Sequence, residues 1–141
     1  MMDLYPRRIV GWAMQSTLEH GLTLCALQMA IAQRRPAPGL LHPSDRGVQY
    51  ACGDYQRLPA GHRMIPSVSR KGDCWENAPQ ESFFGTLKGE LGPHLGRLSR
   101  NDAHREVFDF IEAFYNRQRL HSSLGYLSPA DFGRLSAVTA V

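Results

Sequence analysis

The chain has 141 residues, which is enough for one domain and leaves little room for a second. Hydrophobic residues make up 43% and charged residues 21%, a globular balance that argues against a disordered or fibrous protein. The longest stretch without Asp, Glu, Lys or Arg, 20–33, is too short and too polar to cross a membrane, and no apolar secretion signal opens the chain. We therefore expect a cytoplasmic protein with no membrane partner, and the net charge of +3 is compatible with a polyanionic ligand.

The N-terminal part predicts a strand followed by a helix. Residues 8–14 form a short apolar run of β-branched and aromatic residues, which is typical of a buried strand. Apolar residues recur at helical spacing over 23–33, and the helix must end before Pro36.

Two short strands and an intervening helix are predicted next. The strands lie at 39–42 and 64–68, and Pro66 confines the second to an edge or a strand end. The helix, within 50–58, is ended by the proline and glycine at 59 and 61.

The C-terminal half is predicted to be helical. Asn77 is a good N-cap for a helix that Gly92–Pro93 ends, and its apolar stripe is Phe83, Phe84, Leu87 and Leu91. A second helix begins at Ser99, with Asp102 completing a capping box. Its apolar face is carried by Val107, Ile111 and Phe114 and widened by Phe108, Phe110 and Tyr115. Strands alternating with helices, and then helices, predict an α/β layered domain.

Two acidic residues lie in sequence contexts that are typical of ligand-binding or catalytic carboxylates. Asp45 directly follows a predicted strand, at the edge where ligands of open α/β sheets bind, and Glu81 lies in the first turns of a helix. Lys88 follows Glu81 by seven positions, about two helical turns, on the same face. Two carboxylates beside a lysine suit a magnesium site that handles a phosphodiester. On local grounds alone, the structural interpretations are favoured over the metal site: Asp45 as a turn residue, Glu81 as a solvated partner of the helix dipole and Lys88 as a surface lysine.

Four segments carry a family resemblance that covers nearly the whole chain in order. Residues 41–50, L-H-P-S-D-R-G-V-Q-Y, resemble the H-x-S-D-R-G-x-Q-Y motif of bacterial insertion-sequence transposases with a retroviral-integrase-like core. Residues 69–88 are similar to their S-x-K-G-x-x-x-D-N-A-x-x-E-S-F-F-x-x-L-K segment. Residues 114–132 are similar to the closing Y-N-x-x-R-x-H-S-x-L-G-Y-x-x-P-x-x-F, and 3–12 to the D-x-x-S-R-x-I-V-G-W strand.

The resemblance implies a ribonuclease H-like fold, a mixed sheet flanked by helices, with an Asp-Asp-Glu triad that holds two Mg²⁺ or Mn²⁺ ions. Asp45 corresponds to the second acid and Glu81 to the third, with 35 residues between them as in the family. Lys88 corresponds to a lysine that contacts DNA near the transposon end. The further residues expected to contact transposon or target DNA are Arg46, Arg70, Lys71, Arg117 and Arg119.

The first acid of the triad has no counterpart in this sequence under the resemblance. It belongs to a D-x-T strand upstream of the segment that matches Asp3, and that strand is the central one of the family's sheet. The resemblance therefore implies an N-terminally truncated core over 1–135 with a tail at 136–141, inactive alone and partnered by full-length transposase or its N-terminal segment.

Other interpretations remain open. The chain is either this inactive catalytic fragment, a non-catalytic DNA-binding or inhibitory remnant, or a metal-dependent nuclease that uses another carboxylate. His121 either supports helix packing, which we favour, or approaches DNA. Trp75 either covers the active-site loop or fills the core.

Overall fold

The computed structural model describes residues 1–15, 20–44, 53–68 and 78–139. The elements in chain order are β1 (Met2–Asp3), β2 (Arg8–Ile9), α1 (His20–Arg34), β3 (Leu41–Ser44), α2 (Gly53–Gly61), β4 (Ile65–Val68), α3 (Ala78–Leu95), α4 (Arg100–Asp109), a π-helix (Phe110–Tyr115), a 3-10 turn (Ser122–Leu124) and α5 (Pro129–Thr139). The chain divides into two compact units, Met1 with Val10–Cys74 and Met2–Ile9 with Trp75–Val141. Strands and helices occur in both, which confirms the predicted α/β class.

The first unit packs two helices with a parallel strand pair. β3 and β4 pair in register from Leu41 opposite Ile65 to Ser44 opposite Val68. The core of this unit consists of Leu27 and Ile31 from α1, Tyr55 from α2 and Met64 just before β4. Both strands and both helices of this unit were predicted from the sequence, with boundaries shifted by up to three residues.

The predicted strand over 8–14 is right only for its first two residues. The reason lies at Gly11, whose backbone lies against α1: an added Cβ would clash with the carbonyl oxygen of Ala26 and lie 2.8 Å from the Cβ of Ala30. The N–H of Trp12 donates to the sulfur of Met29 at 3.4 Å. From Gly11 onward, contact with a helix therefore replaces strand pairing.

Two predicted helix ends were wrong because proline does not end either helix. Pro59 lies inside α2, which continues to Gly61, and Pro93 lies inside α3, which continues to Leu95. Each proline stands two residues before the end of its helix. The missing N–H therefore removes one hydrogen bond from the last turn only and leaves the rest of the helix intact.

The second unit is built around α4 and the π-helix that follows it without a break. β1 and β2 form a short antiparallel pair, with Met2 opposite Ile9 and Asp3 opposite Arg8. The strands of the described residues thus form two separate pairs, and a single mixed sheet remains a prediction.

The predicted apolar face of residues 99–115 is wrong at Phe114 because a π-helix interrupts the regular α-helical spacing. Val107 and Ile111 are buried as expected, but Phe114 is 36% exposed while Tyr115 is 3% exposed. The N–H of Asn116 bonds to the carbonyl of Ile111, five residues back, at 3.0 Å. Because each such bond places one more residue in the turn, the buried position moves from 114 to 115.

Serine caps begin two of the helices in this unit. The N–H of Asp102 donates to the hydroxyl of Ser99 at 3.2 Å, which confirms Ser99 as the predicted N-cap of α4, and the same hydroxyl donates to Oδ2 of Asp102 at 2.6 Å. Ser128 and Asp131 repeat this arrangement at the start of α5, where the N–H of Asp131 donates to the Ser128 hydroxyl at 3.2 Å. The signal for this cap is present in the sequence, because Ser128 is followed by Pro129 and, three positions after the serine, by Asp131.

In the part of the chain that the structure describes, no helix is long and apolar enough to span a bilayer. Helix α5 runs through position 135, and the expected boundary between 135 and 136 remains a prediction.

Candidate catalytic helix and basic cluster

Helix α3 presents the predicted acid and lysine to solvent. Pro79 lies in its first turn, where a missing N–H costs nothing, and Glu81 lies there too, near the positive end of the helix dipole. The side chains of Glu81 and Lys88 are both exposed. Seven residues separate them, so they share one face of the helix about 10 Å apart along its axis.

Phe83 sets which face of α3 points outward. Its side chain is 6% exposed, and its ring meets the ring of Tyr115 edge-on, with centroids 4.9 Å apart and planes at 89°. The ring centroid of Phe110 is 6.3 Å away. Since residues two apart on a helix point about 200° from each other, burial of Phe83 turns Glu81 to solvent. Phe84, expected in the apolar stripe, is instead 52% exposed.

Several predicted site residues lie outside the described residues. These are Asp45, Arg46, Arg70 and Lys71, together with the cap residue Asn77 and Trp75. β3 ends at Ser44, the residue before Asp45. The approach of Asp45 to Glu81 therefore remains a prediction.

The described carboxylates do not by themselves make a metal site. Within 1–15, 20–44, 53–68 and 78–139, no three His, Cys, Asp or Glu side chains are grouped so that they could hold an ion. Glu81 fits one oxygen ligand of a hard cation, because it is exposed and carries a carboxylate. One ligand is too few, so no catalytic step is derived through a metal from the described residues.

The two predicted DNA-contacting arginines follow the π-helix. Arg117 is exposed and Arg119 is half-buried, with its Nε inaccessible to solvent and without a hydrogen-bond partner. The N–H groups of Gln118 and Arg119 both donate to the carbonyl of Phe114 at 2.8 Å, which ends the π-helix in a tight turn.

His121 is held beside these arginines. Its ring lies edge-on to the ring of Tyr115, with centroids 5.2 Å apart. The backbone N–H of His121 donates to the carbonyl of Leu127 at 3.1 Å. Burial lowers the pKa of His121, and the charges of Arg119 and Arg7 lower it further. Burial also raises the pKa of Tyr115, against the effect of the same two arginines. These contacts support the packing role that the sequence favoured for His121.

Asn116 is a structural residue that the sequence reasoning missed. It is 1% exposed, and its side-chain amide makes two hydrogen bonds to Ile9: Oδ1 accepts from the N–H and Nδ2 donates to the carbonyl, both at 2.9 Å. The amide therefore takes the place of a neighbouring strand along β2. An asparagine after a helical run gives no sign of a partner 107 positions away.

Comparisons with known proteins match this chain to one family model and to several curated proteins. Residues 62–129, which include Glu81 and Lys88, match the family described as an integrase core domain. The chain is 47% identical over 130 residues to the "Insertion element IS600 uncharacterized 31 kDa protein" of Shigella sonnei, covering 92% of this chain and 48% of that protein.

Two further curated relatives are named as transposases. One is the "Transposase for insertion sequence element IS904" of Lactococcus lactis, 38% identical over 136 residues, covering 96% of this chain and 54% of the relative. The other is "Transposase InsF for insertion sequence IS3A" of Escherichia coli, 41% identical over 134 residues, covering 94% and 46%. The chain spans about half the length of the curated relatives it matches.

Proposed function

We propose that the chain belongs to the family of insertion-sequence transposases with an integrase core domain, and that it forms part of the catalytic core that breaks and joins DNA during transposition. The fold proposed with it is ribonuclease H-like, with a mixed sheet flanked by helices.

The observation that carries the proposal is the exposed face of α3. Glu81 and Lys88 lie on that face, inside the segment that matches the integrase core. Phe83 holds the opposite face against Tyr115, so the acid and the lysine are both available to a ligand from solvent. An exposed carboxylate with a lysine two turns along the helix suits a phosphodiester and its counter-cation.

Asp45 and Glu81 are proposed to hold Mg²⁺ or Mn²⁺ through their carboxylate oxygens. Such ions, when bound between carboxylates, neutralise phosphate charge and lower the pKa of a coordinated water. Glu81 supplies its carboxylate from a rigid helical turn, and Lys88 places a positive charge where the DNA backbone would run along α3.

The proposed reaction has two steps on DNA. Water attacks a phosphorus atom at the transposon end, and the bond to the 3′ oxygen breaks to leave a free 3′ hydroxyl. That hydroxyl then attacks a target phosphodiester, forming a new P–O bond while the target's own 3′ oxygen leaves as a hydroxyl. Arg46, Arg70, Lys71, Arg117 and Arg119 are proposed to bind the backbone phosphates.

Two acids are fewer than the family's three. We propose that the 141-residue chain alone is inactive, and that a transposase segment carrying the D-x-T strand supplies the remaining acid and completes the metal site.

The test measures nicking of supercoiled plasmid with Mg²⁺, using the chain alone and with a polypeptide that carries the D-x-T strand of an insertion-sequence transposase. The chain alone should be inactive, and activity should appear with the added segment. Asp45→Asn and Glu81→Gln should each abolish it. Glu90→Gln is the matched control, because Glu90 is exposed on the same helix but not on the proposed ligand face.

Other outcomes would favour the other interpretations. Nicking by the isolated chain that Asp45→Asn removes would establish a stand-alone nuclease and contradict the inactive state. DNA binding that survives Glu81→Gln but falls with Lys88→Ala, without activity under any combination, would favour a non-catalytic DNA-binding remnant.

A further inference from the structure

A second group of cations gathers around Tyr115, in the unit formed by Met2–Ile9 and Trp75–Val141. The two hydrogen bonds between Asn116 and Ile9 fix β2 beside the end of the π-helix. Arg7 and Arg8 therefore lie next to the segment that carries Arg119 and His121. The positive φ of Arg7, 54°, turns the chain into β2 at this point.

Three nitrogen atoms in this group are buried without a hydrogen-bond partner. They are Nε of Arg8, Nε of Arg119 and Nε2 of His121. Arg8, Arg119 and His121 are all half-buried. A buried donor without a partner costs about 1–3 kcal/mol, more when it is charged, so this arrangement is unfavourable as it stands.

Asp3 supplies a negative charge beside this group. It lies opposite Arg8 across the β1–β2 pair, and its Oδ1 accepts a hydrogen bond from the N–H of Tyr5 at 3.2 Å. The ion pairs of Arg57, Arg105 and Arg134 are each made with an aspartate three residues earlier, and none of these involves the present group.

Arg7 and Arg119 affect the same two side chains, which indicates that these two cations lie close to each other. Arg7 and Arg119 act on both Tyr115 and His121, favouring the unprotonated form of each. The Tyr115 ring touches His121 on one side and Phe83 of α3 on the other. The cation group and the helix that carries Glu81 are thus packed against a common residue.

We propose that Arg7, Arg8 and Arg119 form a binding site for a phosphate group of the DNA backbone. An oxyanion would supply acceptors for the buried Nε atoms of Arg8 and Arg119 and a negative charge beside these cations. Arginine suits this ligand because its planar fork binds two phosphate oxygens at once. The identity of the phosphate as DNA rests on the proposed function, whereas the anion site itself rests on the side chains.

The test measures binding of a short fluorescein-labelled DNA duplex of arbitrary sequence by anisotropy, over a series of salt concentrations. Arg119→Gln and Arg7→Asn should each weaken binding several-fold at low salt and reduce the slope of log K against log salt by about one. Asparagine is used at position 7 because it tolerates the positive φ. Arg105→Gln is the matched control, since Asp102 already pairs with that exposed cation.

A second measurement detects the anion site without DNA. Inorganic phosphate, at ionic strength held constant with chloride, should raise the thermal midpoint of the chain and of Arg105→Gln, and raise it less for Arg119→Gln and Arg7→Asn. Arg119→Lys keeps the charge but loses the fork, so it should retain the salt slope with weaker binding.

The outcomes separate the two proposals. If folded Arg119→Gln and Arg7→Asn keep the parental salt slope and the parental response to phosphate, the site is refuted, while DNA binding by the chain leaves the proposed function intact. If the parental chain responds to phosphate through these residues but binds no DNA at low salt, the anion site stands and its assignment to DNA fails together with the proposed function.

Discussion

Replacing Asn116 by alanine is expected to be among the most damaging single changes in the second unit. Its amide is the partner of both backbone groups of Ile9, at 2.9 Å each, in a position where Asn116 is 1% and Ile9 3% exposed. Leaving one buried donor and one buried acceptor unpaired costs about 1–3 kcal/mol each, so the free energy of unfolding should fall by about 2–6 kcal/mol. This is a large share of the 5–15 kcal/mol that a domain typically has.

Urea unfolding followed by circular dichroism measures the change. With a slope of about 1–3 kcal/mol per molar urea, the midpoint should fall by about 1–3 M. Asn101→Ala is the control, because Asn101 is exposed within α4 and its replacement should change stability by less than about 0.5 kcal/mol. Asn116→Asp has the same size but cannot donate when ionised, so it should also be destabilised at neutral pH.

Hydrogen exchange at the Ile9 amide tests the cause. In Asn116→Ala this amide should lose its protection even where the rest of the second unit remains folded. A loss of less than about 1 kcal/mol in Asn116→Ala, with the Ile9 amide still protected, would show that the side-chain amide does not hold β2.

Two further changes concern the first unit. Gly11→Ala should lower the urea midpoint of unfolding strongly, because the new Cβ would clash with the carbonyl of Ala26. Gly21→Ala is the control: it has open space around the new Cβ and should be neutral or stabilising. Equal effects of the two substitutions in urea unfolding would contradict the contact between Gly11 and α1. Burial lowers the pKa of His42, so the unfolded state binds more protons, and the contribution of His42 to stability should be complete above pH 6.5 and be lost as the pH falls below it. Burial also lowers the pKa of the Met1 amino group from 8.0 to about 6, so stability should already begin to decline below pH 8. His121 acts with the same sign, so His42→Gln should flatten only part of this slope, and an unchanged slope would contradict the assignment.

The sequence predicted those parts of the fold that depend on neighbours along the chain. The N-cap at Ser99 was correct because the serine, the acid and the backbone donors lie within four residues. Both partners of the parallel strand pair were found because short apolar runs bounded by turn residues are local signals. The pairing of Asn116 with Ile9 was missed because no local pattern specifies it.

The same difference between local signals and distant contacts applies to the candidate site. The exposed position of Glu81 in the first turn of α3 agrees with the sequence, since cap signals and the Phe83 position fix the phase of the helix. Phe114 was placed in the core by a period of 3.6 residues, but the actual period changes within the segment. The group of cations at Tyr115 combines residues from both ends of the chain, so it emerges only after folding.

The π-helix at Phe110–Tyr115 accommodates one residue more than an α-helix over the same span. Removing one of the exposed residues there, Ala113 or Phe114, would restore an uninterrupted α-helix and leave the later side chains close to their present positions. Tyr115 would then still meet Phe83, and Asn116 would still meet Ile9. The loss of one residue from α4 would instead rotate every later side chain by about 100° and undo the support of α3 and of β2 together. A shortening by one codon should therefore be tolerated in the π-helix and selected against in α4.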